Sequence, residues 1–191
     1  PLASGAALMV LLPARQRPAE HGLPDDYEPL HKGHVSLDIG RYFRMNEDLI
    51  VRGTPPLVLR RTYASGYRAS KEFGIGTTHA DEWYLTGDGK HFQWAALTRP
   101  GQYPVRFDRI SSGRSVFNAM YQHRSTPGEW QGARLGWTGI DWVVRRTDGS
   151  LSRFRSCGPD EKSVCSIVQQ RDVDGHVIDY KRDRTGRLLK I

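Results

Sequence analysis

From Gly33 onward, apolar and aromatic residues fall in short runs with turn residues between them. The runs are Leu57–Tyr63, Glu82–Leu85, Phe92–Leu97, Val105–Ile110, Val116–Tyr121, Trp142–Arg146, Leu151–Phe154, Cys165–Arg171, Val177–Arg182 and Leu188–Ile191. Several alternate with period two. In Val105-Arg106-Phe107-Asp108 the residues read in, out, in, out, as a strand with one buried and one wetted face requires. The separators include Gly87-Asp88-Gly89, Ser112-Gly113, Asp148-Gly149, Asp174-Gly175 and Thr185-Gly186. Glycine after aspartate suits the positive φ of tight hairpin turns. No stretch sustains an apolar i, i+3, i+4, i+7 pattern with caps. The expected class is therefore all-β: an antiparallel, curved sheet of short hairpins. About ten short strands would leave such a sheet with open edges, and Val177–Ile191 is the segment expected to pair with a further strand.

A weak repeat closes the chain. Asp172-Val173-Asp174-Gly175 precedes one strand and Asp183-Arg184-Thr185-Gly186 the next. In an Asp-x-x-Gly turn the carboxylate accepts backbone N–H groups and glycine supplies the left-handed position. Asp172, Gly175, Asp183 and Gly186 are thus expected to be structural turn residues.

The segment from Val177 to Ile191 resembles the Rhs/YD repeat, whose pattern runs roughly Tyr-x-Tyr-Asp-x-x-Gly-Arg-Leu. Tyr180, Asp183, Gly186, Arg187 and Leu188 match; Arg182 stands where the second tyrosine would be, which predicts an exposed or edge unit. Upstream, Val35-Ser36-Leu37-Asp38-Ile39-Gly40, Glu47-Asp48-Leu49, Gly53-Thr54-Pro55-Pro56-Leu57 and Leu57–Ser65 are similar to the region preceding the repeats in Rhs proteins. Phe73-Gly74-Ile75-Gly76-Thr77 is similar to its Leu-Gly-x-Gly-Trp turn, with Thr77 in place of the tryptophan. Thr147-Asp148-Gly149 followed by Phe154 fits its later hairpin. The resemblance covers roughly residues 33–191. It implies the start of an Rhs-type β-shell: a non-catalytic structural module of an exported polypeptide. The implied partners are further shell segments of the same or a partner chain, with a toxin or contact-dependent effector as cargo. The implied location is secreted or cell-surface, or cytoplasmic before export.

Residues 1–30 read differently. Ala6–Leu12 is an apolar run without a basic region before it, and Pro13, Pro18, Pro24 and Pro29 follow. This stretch is expected to be an apolar arm or truncated leader joined by a proline-rich linker to a β-rich domain over 31–191. No apolar run reaches the roughly 18 residues needed to span a bilayer, so no membrane span is expected.

The charge of +7 raises the question of nucleic acid. Only six of the 28 basic residues are lysines, and the arginines are scattered from Arg15 to Arg187. No nucleic-acid partner is therefore expected, and the arginines are read as solvated. Enzyme motifs are absent: there is no Gly-x-Ser-x-Gly elbow, Walker loop or His-Glu-x-x-His. Gly74-Ile75-Gly76 lacks the third glycine of a dinucleotide loop and reads as a plain turn. His31 and His34 have metal-ligand spacing but no third ligand near them, so they read as solvated. His79 beside Asp81 and Glu82 reads as a surface ion pair rather than an acid–base cluster. No catalytic residue, metal or cofactor is expected. Cys157 and Cys165 flank Gly158-Pro159-Asp160 and are expected to close that turn as a disulfide; the alternative is two reduced thiols. The second functional reading is a surface carbohydrate-binding β-domain, with Trp130, Trp137 and Trp142 as a sugar platform. Core packing of these rings is the competing expectation.

Overall fold

The computed structural model describes residues 30–191 apart from 32–34, 37–39, 67, 69, 72, 89–92, 101, 114, 116–117, 126, 156–163 and 184–185. The leader and linker readings over 1–29 and the Cys157 half of the expected disulfide lie outside the described residues. Alternation along the rest settles into strands, and no helix occurs among the described residues. The strands are β1 (Leu30–His31), β2 (Val35–Ser36), β3 (Arg41–Val51), β4 (Leu57–Ala64), β5 (Ser70–Lys71), β6 (Gly74–Ile75), β7 (Thr77–His79), β8 (Tyr84–Gly87) and β9 (Trp94–Thr98). There follow β10 (Val105–Arg109), β11 (Met120–Gln122), β12 (Arg134–Trp137), β13 (Trp142–Arg145), β14 (Leu151–Arg155), β15 (Cys165–Arg171), β16 (Val177–Asp179), β17 (Lys181–Arg182) and β18 (Leu188–Lys190). All pairings are antiparallel, as the period-two runs imply.

The main sheet corrects the expectation of open edges. Strands β8 to β14 each pair with the next in sequence, β14 pairs with β15, and β15 returns to β8 through Cys165↔Leu85 and Ser166↔Tyr84. Eight strands close into an up-and-down barrel. A barrel of this size has an interior just wide enough for side chains to fill. Register pairs carry one face inward around the ring: Leu85↔Leu97↔Val105, Ala95↔Phe107, Tyr121↔Leu135↔Val144 and Phe154↔Ile167. Leu97, Phe107, Phe154 and Ile167 are completely buried. Closure depends on one irregularity. Arg153 faces Gln169 but Phe154 faces Ile167, so Val168 is an extra residue on β15. This bulge resets the parity that puts Ile167 inside and bends the strand, as bulges at barrel corners do.

The second sheet has the order β1-β2-β3-β4-β7. Its long strands β3 and β4 form a ribbon, itself bulged between Glu47 and Leu49. Glu47 pairs with Arg60 and Asp48 with Arg61 along it. Beyond these ion pairs the ribbon is wholly aliphatic, with Leu49↔Leu59, Ile50↔Val58 and Val51↔Leu57 in register. Leu49 and Ile50 are each 56 % exposed. β2 covers the outer edge of β3 only at Arg41 and Tyr42; beyond that no described strand pairs with this edge. In the C-terminal segment, β16 is the last strand of the main sheet, and no described strand pairs with its outer edge. β16 pairs with β15, and the β17–β18 hairpin folds back over it, with the Gly186 turn beside Ser166.

Candidate functional site

Three loops and one strand entry converge at the barrel end where β8 begins. Trp83 precedes β8, Arg99 follows β9, Glu129 and Trp130 lie between β11 and β12, and Arg146 follows β13. Their side chains stack alternately. The Arg99 guanidinium lies 5.7 Å from the Trp83 ring centre and 4.7 Å from that of Trp130, with Arg146 at 5.4 Å from Trp130. Trp83 and Trp130 meet edge to face at 6.1 Å. Glu129 ties the stack together. Its Oε1 accepts from Arg99 Nη1 at 2.6 Å and Trp130 Nε1 at 2.5 Å, and its Oε2 accepts from Arg146 Nη1 at 2.8 Å. Cations over indole faces gain from the ring quadrupole, most when water is excluded. With both oxygens of Glu129 taken by donors, the cluster serves as a plug. Sequence reasoning missed it, because arginines taken singly looked solvated; Arg99 is buried.

A second cluster joins the two sheets and the C-terminal hairpins at Asp81, in the link between β7 and β8. Tyr180 donates to Asp81 Oδ1 at 3.2 Å and to Gln170 Oε1 at 2.8 Å. Burial, then the Asp81 charge, pushes the Tyr180 hydroxyl well above its ordinary value. Arg182 donates to three backbone carbonyls: Asp81 at 2.7 Å, Ile167 at 2.9 Å and Gly186 at 3.0 Å. The expectation that Arg182 marks an exposed unit is therefore corrected. A guanidinium's fixed fork suits three acceptors from separate segments, and here it pins the hairpin to the barrel. His79 is likewise buried rather than at the surface, and its Nδ1 lies 3.9 Å from Asp81 Oδ2, too far for a hydrogen bond. Glu82 is also buried.

The turn residues form one motif used three times, over residues 146–150, 172–176 and 183–187. In each, the first residue's N–H bonds to the fifth residue's carbonyl, the fourth residue's N–H bonds to the first residue's carbonyl, and the fourth is glycine. The φ values are +95° at Gly149 and +89° at Gly175 and Gly186. The two copies that begin with aspartate add a matched clasp. Asp172 Oδ1 accepts the His176 N–H at 2.9 Å, and Oδ2 meets His176 Nδ1 at 2.8 Å. Asp183 accepts the Arg187 N–H at 3.0 Å and its Nε at 3.1 Å. Slight desolvation would raise the Asp172 carboxyl, but the His176 hydrogen bonds and charge outweigh it and hold the group below its usual value. Asp172, Asp174 and His176 each place a ligand atom within 4.8 Å of the others; the Asp172 oxygens are already used by the turn.

The sugar platform does not assemble. Trp130 is 1 % exposed, inside the plug, while Trp137 and Trp142 lie at the opposite barrel end. Those two pair across the Gly139 turn with planes 59° apart, whereas stacking on a sugar needs open, coplanar rings. Cys165 is disulfide-bonded. His31 lies in β1, and His34 falls outside the described residues. Gly74, the first residue of β6, and Gly76, just after it, have left-handed φ. No helix among the described residues is long and apolar enough to cross a membrane.

Residues 32–107 match the model of a domain of unknown function, DUF6531. The match covers the ribbon sheet from β2 onward and the first strands of the barrel, less than half the chain. No curated protein matches the sequence.

Proposed function

We propose that this chain is a non-catalytic structural module of an exported Rhs/YD-type polypeptide, a stretch of β-shell wall that encloses or presents a toxin or contact-dependent effector. The observation that carries the reading is the β3–β4 ribbon. It offers aliphatic side chains on both faces and a strand edge without a described partner, and such an edge is a template for more sheet. Covering the exposed half of each aliphatic side chain is worth about 1 kcal/mol, so further β-structure is the natural occupant. Two facts support the assignment. The DUF6531 match includes the whole ribbon, and the Asp-x-x-Gly-Arg residues of the repeat-like segment form a working hairpin clasp.

Purified chain should show no turnover on generic esterase, phosphatase, nuclease or glycosidase substrates. It should self-associate with rising concentration in sedimentation velocity. Leu49→Lys with Ile50→Lys should abolish that association without lowering the melting temperature of the barrel. A monomer with robust turnover of any of these substrates would overturn the reading.

A further inference from the structure

The outer wall of β12–β15 carries charge that the fold does not use. Inward positions on these strands are apolar except Ser152 and Gln170, and the positions of the other parity face out. One outward row runs Gln122↔Arg134↔Arg145↔Leu151↔Arg171 across five strands. The neighbouring row runs Gly136↔Val143↔Arg153↔Gln169. Arg134 and Arg145 thus stand directly opposite each other, about 5 Å apart, and Arg171 lies two strands further, about 10 Å away. Among the described residues no carboxylate pairs with Arg134, Arg145 or Arg171. Of the carboxylates at the adjoining rim, Asp148 pairs with Arg146, Asp172 with His176, and Glu129 with Arg99 and Arg146, while Asp174 stands beside Asp172 and His176. Asp141 is taken bidentately by Arg155, with Arg153 at 3.8 Å, and Asp179 accepts from Gln169. Like charges placed opposite each other across strands destabilise a sheet, so an anion laid over this wall relieves a repulsion the barrel otherwise bears.

We propose that the outer face of β12–β15 is a docking surface for an acidic polypeptide segment in extended conformation. Side chains on one face of an extended peptide repeat at about 6.8 Å, so alternate acidic residues of one strand face the Arg134, Arg145 and Arg171 row from one side. A guanidinium engages a carboxylate with two parallel hydrogen bonds. Gly136 and Val143 leave a low track beside the arginine row. The face does not suit single-stranded nucleic acid, which is held by bases stacking on aromatic rings. Every aromatic of β11–β15 (Tyr121, Trp137, Trp142 and Phe154) sits on the inward parity.

The test is fluorescence anisotropy with a labelled octapeptide of alternating glutamate and valine, beside the glutamine–valine version, a single-stranded oligonucleotide and a DNA duplex. The full chain should bind the glutamate peptide at least about tenfold more tightly than the glutamine peptide, with an affinity that falls as salt rises. Arg134→Gln/Arg145→Gln/Arg171→Gln should weaken it about tenfold or more, while Arg52→Gln, at the ribbon tip, should leave it unchanged. If the triple variant does not fold by circular dichroism, Arg134→Gln alone is measured. That single change removes one side of the facing pair and should raise or preserve the melting temperature while still weakening the peptide several-fold. Equal affinity of the wild type for both peptides, or an unchanged affinity in the folded variants, would overturn the proposal. Tighter binding of either oligonucleotide than of the glutamate peptide would overturn it in favour of a nucleic-acid surface.

Discussion

Replacing Trp130 with alanine separates a packed plug from a sugar-binding platform. The indole is 1 % exposed, and a buried tryptophan withdraws about 200 Å² from water. At about 25 cal/mol per Å² that is roughly 5 kcal/mol, and measured core truncations of this size cost about 3–5 kcal/mol. The two stacked guanidiniums at 4.7 and 5.4 Å would also lose their ring. Arg99 and Arg146 keep Glu129 as a partner, so no buried charge is left without one. The expected loss is therefore about 4 kcal/mol, or about 8–16 °C in melting temperature for a chain of this size. Trp130→Phe keeps most of the packing but drops the indole donor to Glu129, and should cost about 1–2 kcal/mol. Urea titration followed by far-UV circular dichroism measures both. A Trp130→Ala cost below about 1 kcal/mol, together with loss of binding to soluble oligosaccharides, would show that the ring is not packed as described.

Gly186→Val should cost about 1–2 kcal/mol, because φ of +89° is left-handed territory that a β-branched residue resists; Gly175→Val should behave alike, and a cost near zero in urea unfolding would contradict the shared turn geometry. Tyr180 makes stability depend on alkaline pH. Its hydroxyl titrates higher in the folded protein than in the unfolded chain, so its contribution is complete below about pH 10 and declines as pH rises above that. Tyr180→Phe should be less stable than wild type at neutral pH, and the gap should narrow as pH rises above about 10; a constant gap would refute the assignment.

Much of the barrel could be read from alternation alone. Cys165–Arg171 is a strand with the bounds expected, and Val105–Arg109 alternates as its residues suggested. The strands that escaped notice have physical reasons to be silent. Bulging at Asp48 breaks the parity of β3, so Phe43 and Ile50 share a face although seven positions separate them. In β12, Gly136 interrupts an otherwise apolar pair, Leu135 and Trp137. Closure was invisible because it depends on Val168, an ordinary aliphatic whose role as an inserted residue shows only in the register. The aspartate–glycine turns were legible because they are local. The Trp130 stack was not, because Trp83, Arg99, Glu129 and Arg146 come from four separate stretches whose only common property is the barrel end they share.

The return of β15 to β8 also sets a clock. Tyr84 meets its partner Ser166 only after about 80 further residues have been made, which at ribosomal speeds of about 5–20 residues per second takes roughly 4–16 s. During that interval the nascent meander can pair each hairpin in turn, yet the first strand keeps one side bare and the interior stays wet. Every intermediate before Cys165 emerges is thus an unclosed sheet in search of a neighbour. The cell must shield it, or synthesise it slowly and sparsely enough that its own last strand arrives before another molecule's does.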